Sequence, residues 1–185
     1  MKETNSKEQS FLKNEHITLR AVELEDLEPM YEIENDSTTW DISSITVPYS
    51  RYTLRQFIKD TQSDLFADKQ LRLMIVRNED KCILGVIDIT DFVPRYSHGA
   101  VGITIRKVFR QQGYATESLK LLCDYAFRFL SIKQLYAHIP TDNAASIQLF
   151  ISCGFEKCGM MKEWFLSGNA YRDIYILQYI NPLKK

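Results

Sequence analysis

The segment RQQGYA, residues 110–115, places Gly113 between a basic, amide-rich turn and a run with helical spacing. Glycine adopts positive φ freely and lets the main chain approach a ligand closely. The amides of residues 111–116 would stand at the start of the following helix, where N–H groups lack intrahelical acceptors and carry partial positive charge. The pattern R-x-x-G-x-A therefore predicts a site that cradles a pyrophosphate. The alternative is that Gly113 only turns the chain before an ordinary helix.

Neither of the two better-known phosphate loops occurs in the chain. The sequence has no GxxxxGK followed by Ser or Thr and no GxGxxG, which are the patterns of the P-loop and of the dinucleotide-binding fold. Basic side chains at Arg106, Lys107 and Arg110 add positive charge near the glycine turn. These features favour an anion as the ligand and leave its identity to the rest of the sequence.

Strand and helix patterns surround this turn. Apolar residues alternate in HITLRAV and HGAVGITIR, which predicts strands, and recur at helical steps over residues 114–130, which predicts a long helix. Further helices are predicted over residues 23–35, 50–66 and 144–153, the last with Asn143 as N-cap and Gly154 after its end. Hairpins are predicted around RNEDK and SGN. The order of elements predicts an α/β or α+β fold with a mixed sheet.

The totals limit the class of protein. The chain has 185 residues, 45% of them hydrophobic and 25% charged, as is typical of one compact domain. We assign residues 15–185 to that domain and residues 1–14 to a flexible N-terminal arm. A formal net charge of −1 gives no global attraction for nucleic acid or anionic lipid. No segment resembles a signal peptide or is long enough to cross a bilayer, so a cytoplasmic protein is predicted.

The cysteines and histidines do not predict a metal site. The four cysteines form no CxxC pair, and the spacing of the three histidines suggests no ligand set. We expect free thiols and no bound metal. The cysteines are Cys82, Cys123, Cys153 and Cys158.

Three segments together resemble a known family. The turn R-x-x-G-x-A is followed by HIPTDNAASIQLFISCGFEKCG and by the closing KEWFLSGNAYRDIYILQ. In this order they resemble the GNAT superfamily of acetyl-CoA-dependent N-acetyltransferases, and especially the branch of spermidine and ribosomal-protein N-terminal acetyltransferases. The resemblance covers residues 17–178. It implies a mixed, mostly antiparallel, twisted sheet flanked by about four helices and splayed between strands four and five.

The resemblance also implies acetyl-CoA as the co-substrate, with no metal. The glycine turn would bind the pyrophosphate of coenzyme A, and the pantetheine arm would lie between strands four and five. Asn143 would hydrogen-bond that arm or serve only as a cap, and Ser146 would face the coenzyme or only pack. The implied coenzyme-binding residues are the main chain of Ile103, Thr104 and Ile105, then Arg110, Gln111, Gln112, Gly113, Tyr114, Ala115, Thr116, Asn143, Ser146 and Phe150.

The family's reaction is direct attack of an amine on the thioester, which needs a base for the ammonium and help for the departing thiolate. Many relatives use a tyrosine as the thiolate acid, but this chain has Phe150 there, which has no proton to give. The strand segment GAVGITI lacks the glutamate that many relatives carry. His98 is a candidate base, directly or through water. Glu34 is an alternative base, and Glu34 and Asp36 are alternatives that would attract a cationic substrate.

Trp40 lies where this family builds its acceptor pocket, and an aromatic wall beside Glu34, Asp36 and Asp41 would suit a polyamine or another cation. The sequence therefore predicts transfer of an acetyl group to a primary amine, with a polyamine-like small molecule as the leading substrate. A protein N-terminus is the alternative substrate, and a non-catalytic acyl-CoA-binding module is the alternative function. A homodimer or larger homo-oligomer is expected, without nucleic-acid or membrane partners.

Overall fold

The protein forms one mixed sheet. The structure is a computed structural model that describes residues 11–38, 40, 47–61 and 64–184. Within these residues seven strands are hydrogen-bonded in the order β1-β2-β3-β4-β5-β7-β6, and every neighbouring pair is antiparallel except β4 and β5. The predicted mixed, mostly antiparallel α/β fold is confirmed. The strands are β1 (Ile17–Ala21), β2 (Leu71–Arg77), β3 (Ile83–Val93), β4 (His98–Ile105), β5 (Gln134–Pro140), β6 (Glu156–Ser167) and β7 (Ala170–Ile180).

Helices cover both faces of the sheet. One apolar cluster joins the sheet to the two helices that follow β4 and β5 and to Leu65 of the third helix between β1 and β2, and the other joins the sheet to the first two of those three helices. Strand β2 shows the division, since Leu71, Leu73 and Ile75 pack in the first cluster while Met74 and Val76 pack in the second. A strand that is covered on both faces must be apolar on both. The helices are α1 (Leu27–Glu34), α2 (Arg51–Asp60), α3 (Leu65–Asp68), α4 (Tyr114–Asp124) and α5 (Ala144–Ser152).

The helix predicted over residues 50–66 is wrong in its extent. Helix α2 begins with Ser50 as N-cap, whose Oγ accepts from the Thr53 N–H at 3.0 Å, but it ends at Asp60. The next residue, Thr61, is extended, and Asp64 starts the separate helix α3 by accepting from the Phe66 N–H at 2.8 Å. The Asp64 carboxylate can satisfy the first amides of a new helix, which apolar periodicity does not register. The long helix predicted over residues 114–130 is confirmed in extent, with a π-helical turn over Tyr125–Phe129.

The end of the predicted flexible arm is held by the fold. Residues 1–10 lie outside the described residues. The Leu12 carbonyl accepts from the Leu19 N–H at 2.7 Å, and the Asn14 side chain donates to Glu117 Oε2 at 2.7 Å on α4. Phe11 packs against Phe129, with ring centroids 5.7 Å apart. The described part of the arm is therefore ordered against β1 and α4.

The sheet opens between β4 and β5. Parallel pairing covers three residue pairs and ends at Ala100 and Tyr136, although β4 continues to Ile105 and β5 to Pro140. Beyond this point each strand follows its other neighbour, β4 along β3 and β5 along β7. On the other edge of β4, Gly85 of β3 permits a close approach of the two strands, because a Cβ at this residue would lie 2.1 Å from the Thr104 carbonyl oxygen. The predicted splay is confirmed, and it leaves one edge of β4 facing a gap.

Candidate active site

The glycine turn has the predicted conformation. Gly113 is the N-cap of α4 and has φ +87° and ψ −16°, and Gln111 also has positive φ, at +60°. Such values favour glycine and are uncommon elsewhere. No side chain caps this helix, and among the described residues the amides of residues 111–116 find no hydrogen-bond acceptor. The first closed bond is from the Glu117 N–H to the Gly113 carbonyl, at 3.1 Å.

Two side chains in the turn serve the loop itself. The Arg110 Nε–H donates to the Ile105 carbonyl at 2.9 Å, which ties the turn to the end of β4. The Gln112 amide donates to the Val108 carbonyl at 3.1 Å and lines a separate surface hollow beside His16. Gln112 was predicted among the coenzyme residues, but the structure leaves only its main chain in the turn for that role.

A cavity of about 510 Å³ runs from the turn to the gap between β4 and β5. We call it the coenzyme groove. Most predicted coenzyme residues line it, and further residues that the sequence did not single out complete its wall. The lining residues are Thr38, Ile103, Thr104, Ile105, Phe109, Arg110, Gln111, Gly113, Tyr114, Ala115, Thr116, Asn143, Ala145, Ser146 and Leu149.

Hydrogen bonds at the two ends of β4 show which way its main chain points. The Arg106 N–H, just after β4, donates to the carbonyl of Leu84 near the start of β3 at 2.9 Å. The Ser97 carbonyl accepts from the Gln134 N–H of β5 at 3.2 Å. Successive residues of a strand direct their N–H and C=O groups to opposite edges. Even-numbered residues of β4 therefore face β3, and odd-numbered residues face β5 or the gap.

This alternation refines the main-chain prediction for β4. Ile103 and Ile105 direct their polar groups to the gap, whereas those of Thr104 join the ladder with Val86 of β3. Val101 faces the gap by the same rule, although the sequence did not single it out. A substrate arm in the gap can therefore pair with alternate residues of β4, as an added strand would.

Helix α5 closes the other side of the groove. The Asn143 Oδ1 accepts from the Ser146 N–H at 3.1 Å, so the predicted N-cap is confirmed. Both residues line the coenzyme groove and also a second cavity next to it. Asn143 can hold its helix through Oδ1 while its Nδ2–H donors remain directed elsewhere. The structural role and the predicted coenzyme role are compatible.

The second cavity, of about 390 Å³, opens on the α1 side of the sheet. We call it the acceptor cavity. Ile103, Thr104, Asn143 and Ser146 line both cavities, so the two meet at the gap. The remaining walls are residues of α1, β2, β3, β4, β5 and α5, with Tyr49 from the segment before α2. They are Ile33, Glu34, Tyr49, Arg72, Val86, Asp88, Thr90, Val101, Gly102, Ala137, His138, Ile139, Pro140 and Phe150.

An ion-paired triad forms one wall of the acceptor cavity. Arg72 bonds Glu34 Oε1 through Nη1 at 2.5 Å and Asp88 Oδ1 through Nε at 2.7 Å. The carboxylate side chains are only 13% and 14% exposed. Burial lowers the pKa of Arg72, but Asp88 and then Glu34 outweigh it, so that its pKa is raised. The triad keeps one negative charge in excess, which suits a cationic ligand.

Two of the predicted site residues, Glu34 and Phe150, lie in the wall of this cavity. Glu34 lies in its wall, but its carboxylate is held by Arg72, so it fits the substrate-attracting role better than that of a base. Phe150 also lines this cavity and not the groove, because it packs edge-on against Phe155 with centroids 4.9 Å apart. It is 3% exposed and carries no proton to donate.

Three other predicted residues lie outside the cavity walls that the described residues form. His98 stands in the closed, paired part of β4, stacked on Tyr96 with centroids 6.2 Å apart. Asp36 accepts from the N–H and hydroxyl of Thr38 at 3.0 and 2.7 Å, and these bonds lower its pKa. Trp40 donates its indole N–H to the Glu34 carbonyl at 3.1 Å and packs at the end of α1.

Sequence reasoning missed Arg72, Asp88 and His138. Each is a polar residue within a mostly apolar strand segment, in LRLMIVR, VIDITDF and QLYAHIP. A charged residue is almost never buried without a partner. That interruption of the apolar pattern was the available signal, but it does not tell which strands would lie side by side.

The described residues hold no group of three or more His, Cys, Asp or Glu side chains that could bind a metal ion. Among the same residues, no helix is both long and apolar enough to cross a membrane.

The fold and site define an acyltransferase-type domain, with open helix amides beside a splayed pair of strands. The family described as "Acetyltransferase (GNAT) domain" matches residues 16–156. The chain therefore belongs to the GNAT family of acetyltransferases, whose members use acetyl-CoA, and it is an N-acetyltransferase by family.

Individual relatives are distant. A spermidine N(1)-acetyltransferase of Vibrio cholerae is 24% identical over 173 residues, covering 91% of this chain and 98% of that protein. The ribosomal-protein-serine acetyltransferase of Escherichia coli is 21% identical over 163 residues, covering 87% of this chain and 90% of that protein. The crystal structure of spermidine N-acetyltransferase from Vibrio cholerae in complex with CoA and spermine has a TM-score of 0.81 at 22% identity, covering 91% of this chain and 97% of that one. The structural likeness supports the fold.

Proposed function

We propose that this protein transfers the acetyl group of acetyl-CoA directly to a primary amine of a small, polyamine-like cation. The observation that carries the proposal is the junction of two unlike cavities at the gap in the sheet. One presents main-chain donors at the start of α4, and the other presents carboxylates around Arg72. The first suits an anionic coenzyme and the second an ammonium ion.

The coenzyme would lie with its pyrophosphate on the open amides of residues 111–116, where the N-terminus of α4 is positive. Its pantetheine arm would follow the free edge of β4 and pair with Ile103 and Ile105. When bound, it supplies an activated acetyl thioester. The Ile103 N–H faces the gap and is placed to donate to the thioester oxygen as negative charge develops there.

The acceptor would enter from the α1 side. Glu34 and Asp88 attract its ammonium group, while Arg72 holds both carboxylates in place. Such positioning converts an encounter between two substrates into an oriented reaction. The likeness to a spermidine N(1)-acetyltransferase over 91% of the chain supports a polyamine as the substrate class.

A thiol-release assay with acetyl-CoA and a panel of polyamines, aminoglycosides and peptides tests this proposal. We expect turnover with polyamines, and with Glu34→Gln we expect a higher KM for the amine and an unchanged coenzyme affinity. Turnover with N-terminal peptides alone would instead favour a protein acceptor. Coenzyme binding without turnover on any amine would favour a non-catalytic acyl-CoA-binding module.

The expected homo-oligomer and the single-domain assignment of residues 15–185 stay predictions. Light scattering on the purified chain measures the first, and limited proteolysis measures the second.

A further inference from the structure

His138 lines the acceptor cavity, on the part of β5 that lies beyond its last pair with β4. The parallel register pairs His98 with Gln134 and Ala100 with Tyr136. Continued across the gap, this register places His138 opposite Gly102. Residues two apart on a strand share a face, so the imidazole lies on the same side of the sheet as Ala100 and Gly102. This is the side on which the acceptor cavity opens.

Gly102 has no side chain, so the space opposite His138 on this face of the sheet is open. A Cβ at Gly102 would have only Asp88 Oδ2 within 4 Å, at 3.9 Å. Between Gly102 and Thr104 lies Ile103, whose N–H faces the gap. His138 and Ile103 therefore line the same cavity, the one from which an amine would approach a thioester held at Ile103.

The other titratable groups of the acceptor cavity are less suited to take a proton. Glu34 and Asp88 are both bound to Arg72. His138 forms no hydrogen bond or ion pair with any described residue, and its side chain is exposed to the cavity. It is held instead by two rings, Tyr136 at 5.3 Å and Trp164 at 6.2 Å between centroids.

The surroundings keep His138 neutral. Partial burial lowers its pKa, and the carboxylate of Asp91 on β3 opposes that effect without cancelling it. On its own strand it contacts the Tyr136 ring, and on β6 Lys162 and Glu163 precede the Trp164 that contacts it. A neutral imidazole can accept a proton at neutral pH.

We propose that His138 accepts the proton that the acceptor ammonium must lose before its nitrogen attacks the thioester, an inference that rests on the proposed function. The nitrogen lone pair then forms the C–N bond to the acetyl carbon. The C–S bond breaks and its electron pair leaves on sulfur. The second proton of the attacking nitrogen passes to that sulfur, giving free thiol and the amide, and His138 returns its proton to solvent. No proton is required from Phe150.

The test compares His138→Gln with wild type over a pH series, using thiol release with spermidine as the probe. We expect kcat/KM near neutral pH to fall by about 10²- to 10⁴-fold, which is the usual contribution of a general base to the rate. The wild-type kcat/KM should be level above the ordinary histidine pKa and decline below it, whereas that of the variant should fall continuously from about pH 10 with the fraction of neutral amine and show no inflection at the histidine pKa. Because an already neutral amine needs no base, the deficit should shrink as the pH approaches about 10, where a primary ammonium ionises.

The matched control is His98→Gln, a histidine of the same sheet face that lies outside both cavities. We expect it to keep the wild-type pH profile, and both variants to keep wild-type coenzyme affinity by calorimetry. If His138→Gln keeps the level region and the inflection of the wild-type profile, with a rate within about threefold of wild type, the assignment to His138 is overturned while the proposed function stands. A constant deficit at every pH would also overturn it, since that indicates a structural role. If wild type turns over no amine at all, the proposed function itself fails and the base assignment with it.

Discussion

The coenzyme groove and the acceptor cavity meet at one gap but are built from different parts of the chain. Apart from Thr38, the groove is lined by three short segments, the end of β4, the turn around Gly113 and the start of α5, and its polar groups include the open amides of residues 111–116. The acceptor cavity is mostly side chain, and its triad joins Glu34 of α1, Arg72 of β2 and Asp88 of β3. Main-chain donors are present whatever the side chains are, so a groove of this kind depends on conformation. A cavity of side chains depends on each residue and its charge.

The two helices that begin at the gap differ in the same way. Helix α4 starts at Gly113 without a side-chain cap, and its first amides are open. Helix α5 starts at Asn143, which satisfies one amide of its own helix. An uncapped N-terminus offers donors and positive potential to an anion, whereas a capped one has already committed them. Of these two helices, α4 is the one whose open start suits the proposed pyrophosphate site.

Replacing Arg72, which holds the two carboxylates of the acceptor cavity, should have the largest effect on the free energy of unfolding. Arg72→Met leaves two carboxylates without their partner, and removing one member of a buried ion pair costs about 3 kcal/mol. We expect a lower urea midpoint and unchanged coenzyme affinity. Adding Asp88→Asn should recover part of the loss. Arg51→Met, which breaks an exposed pair with Glu28, is the control and should leave the midpoint unchanged. Equal losses in the two variants would contradict the special role of the triad.

Gly113→Val tests the groove. The side chain must adopt positive φ, at a cost of about 1–2 kcal/mol, although no described atom lies within 4 Å of the new Cβ. We expect coenzyme affinity measured by calorimetry to fall at least tenfold, about 1.4 kcal/mol.

Gly168→Val is the matched control for the glycine turn. It carries the same kind of backbone strain at φ +60°, in the β6–β7 turn away from both cavities. We expect similar loss of stability and no loss of coenzyme affinity. If Gly113→Val binds the coenzyme as wild type does, the cradle at this turn is refuted.

Asn143 separates capping from coenzyme binding. Asn143→Ala should lower the free energy of unfolding by about 1 kcal/mol through loss of the cap. Asn143→Ser keeps an oxygen that can cap, so its stability should return toward wild type. Both variants lose the side-chain amide, and both should bind the coenzyme more weakly. Full affinity in Asn143→Ser would show that the residue acts only as a cap.

Phe150→Tyr should have the smallest effect. The residue is buried against Phe155 and lines the acceptor cavity. We expect kcat to change by less than about threefold, because the thiolate can take its proton from the attacking nitrogen and needs no separate acid. A rise of a hundredfold or more in the turnover assay would show instead that a missing acid limits the enzyme.

The sequence predicted the groove better than the acceptor cavity, for a reason visible in particular residues. Gly113, Asn143 and Gly154 have roles set by local backbone geometry, and local patterns report such roles. His98 was selected for its residue type and its nearness in sequence to β4, but it lies in the closed part of the strand pair. His138 lies at the gap, which depends on where the pairing of β4 and β5 ends. The break between α2 and α3 was also missed, because it depends on Asp64 capping a new helix, and the spacing of apolar residues does not show this.

The amino-acid sequence by itself determined the order of elements, the positive-φ turn and the capped start of α5, because these depend on residues that are neighbours along the chain. Tertiary structure alone decided that Arg72, Asp88 and Glu34 form one charged wall and that His138, not His98, borders the gap. Those contacts join strands and helices distant in sequence, and they follow from strand register and from the point at which two paired strands separate.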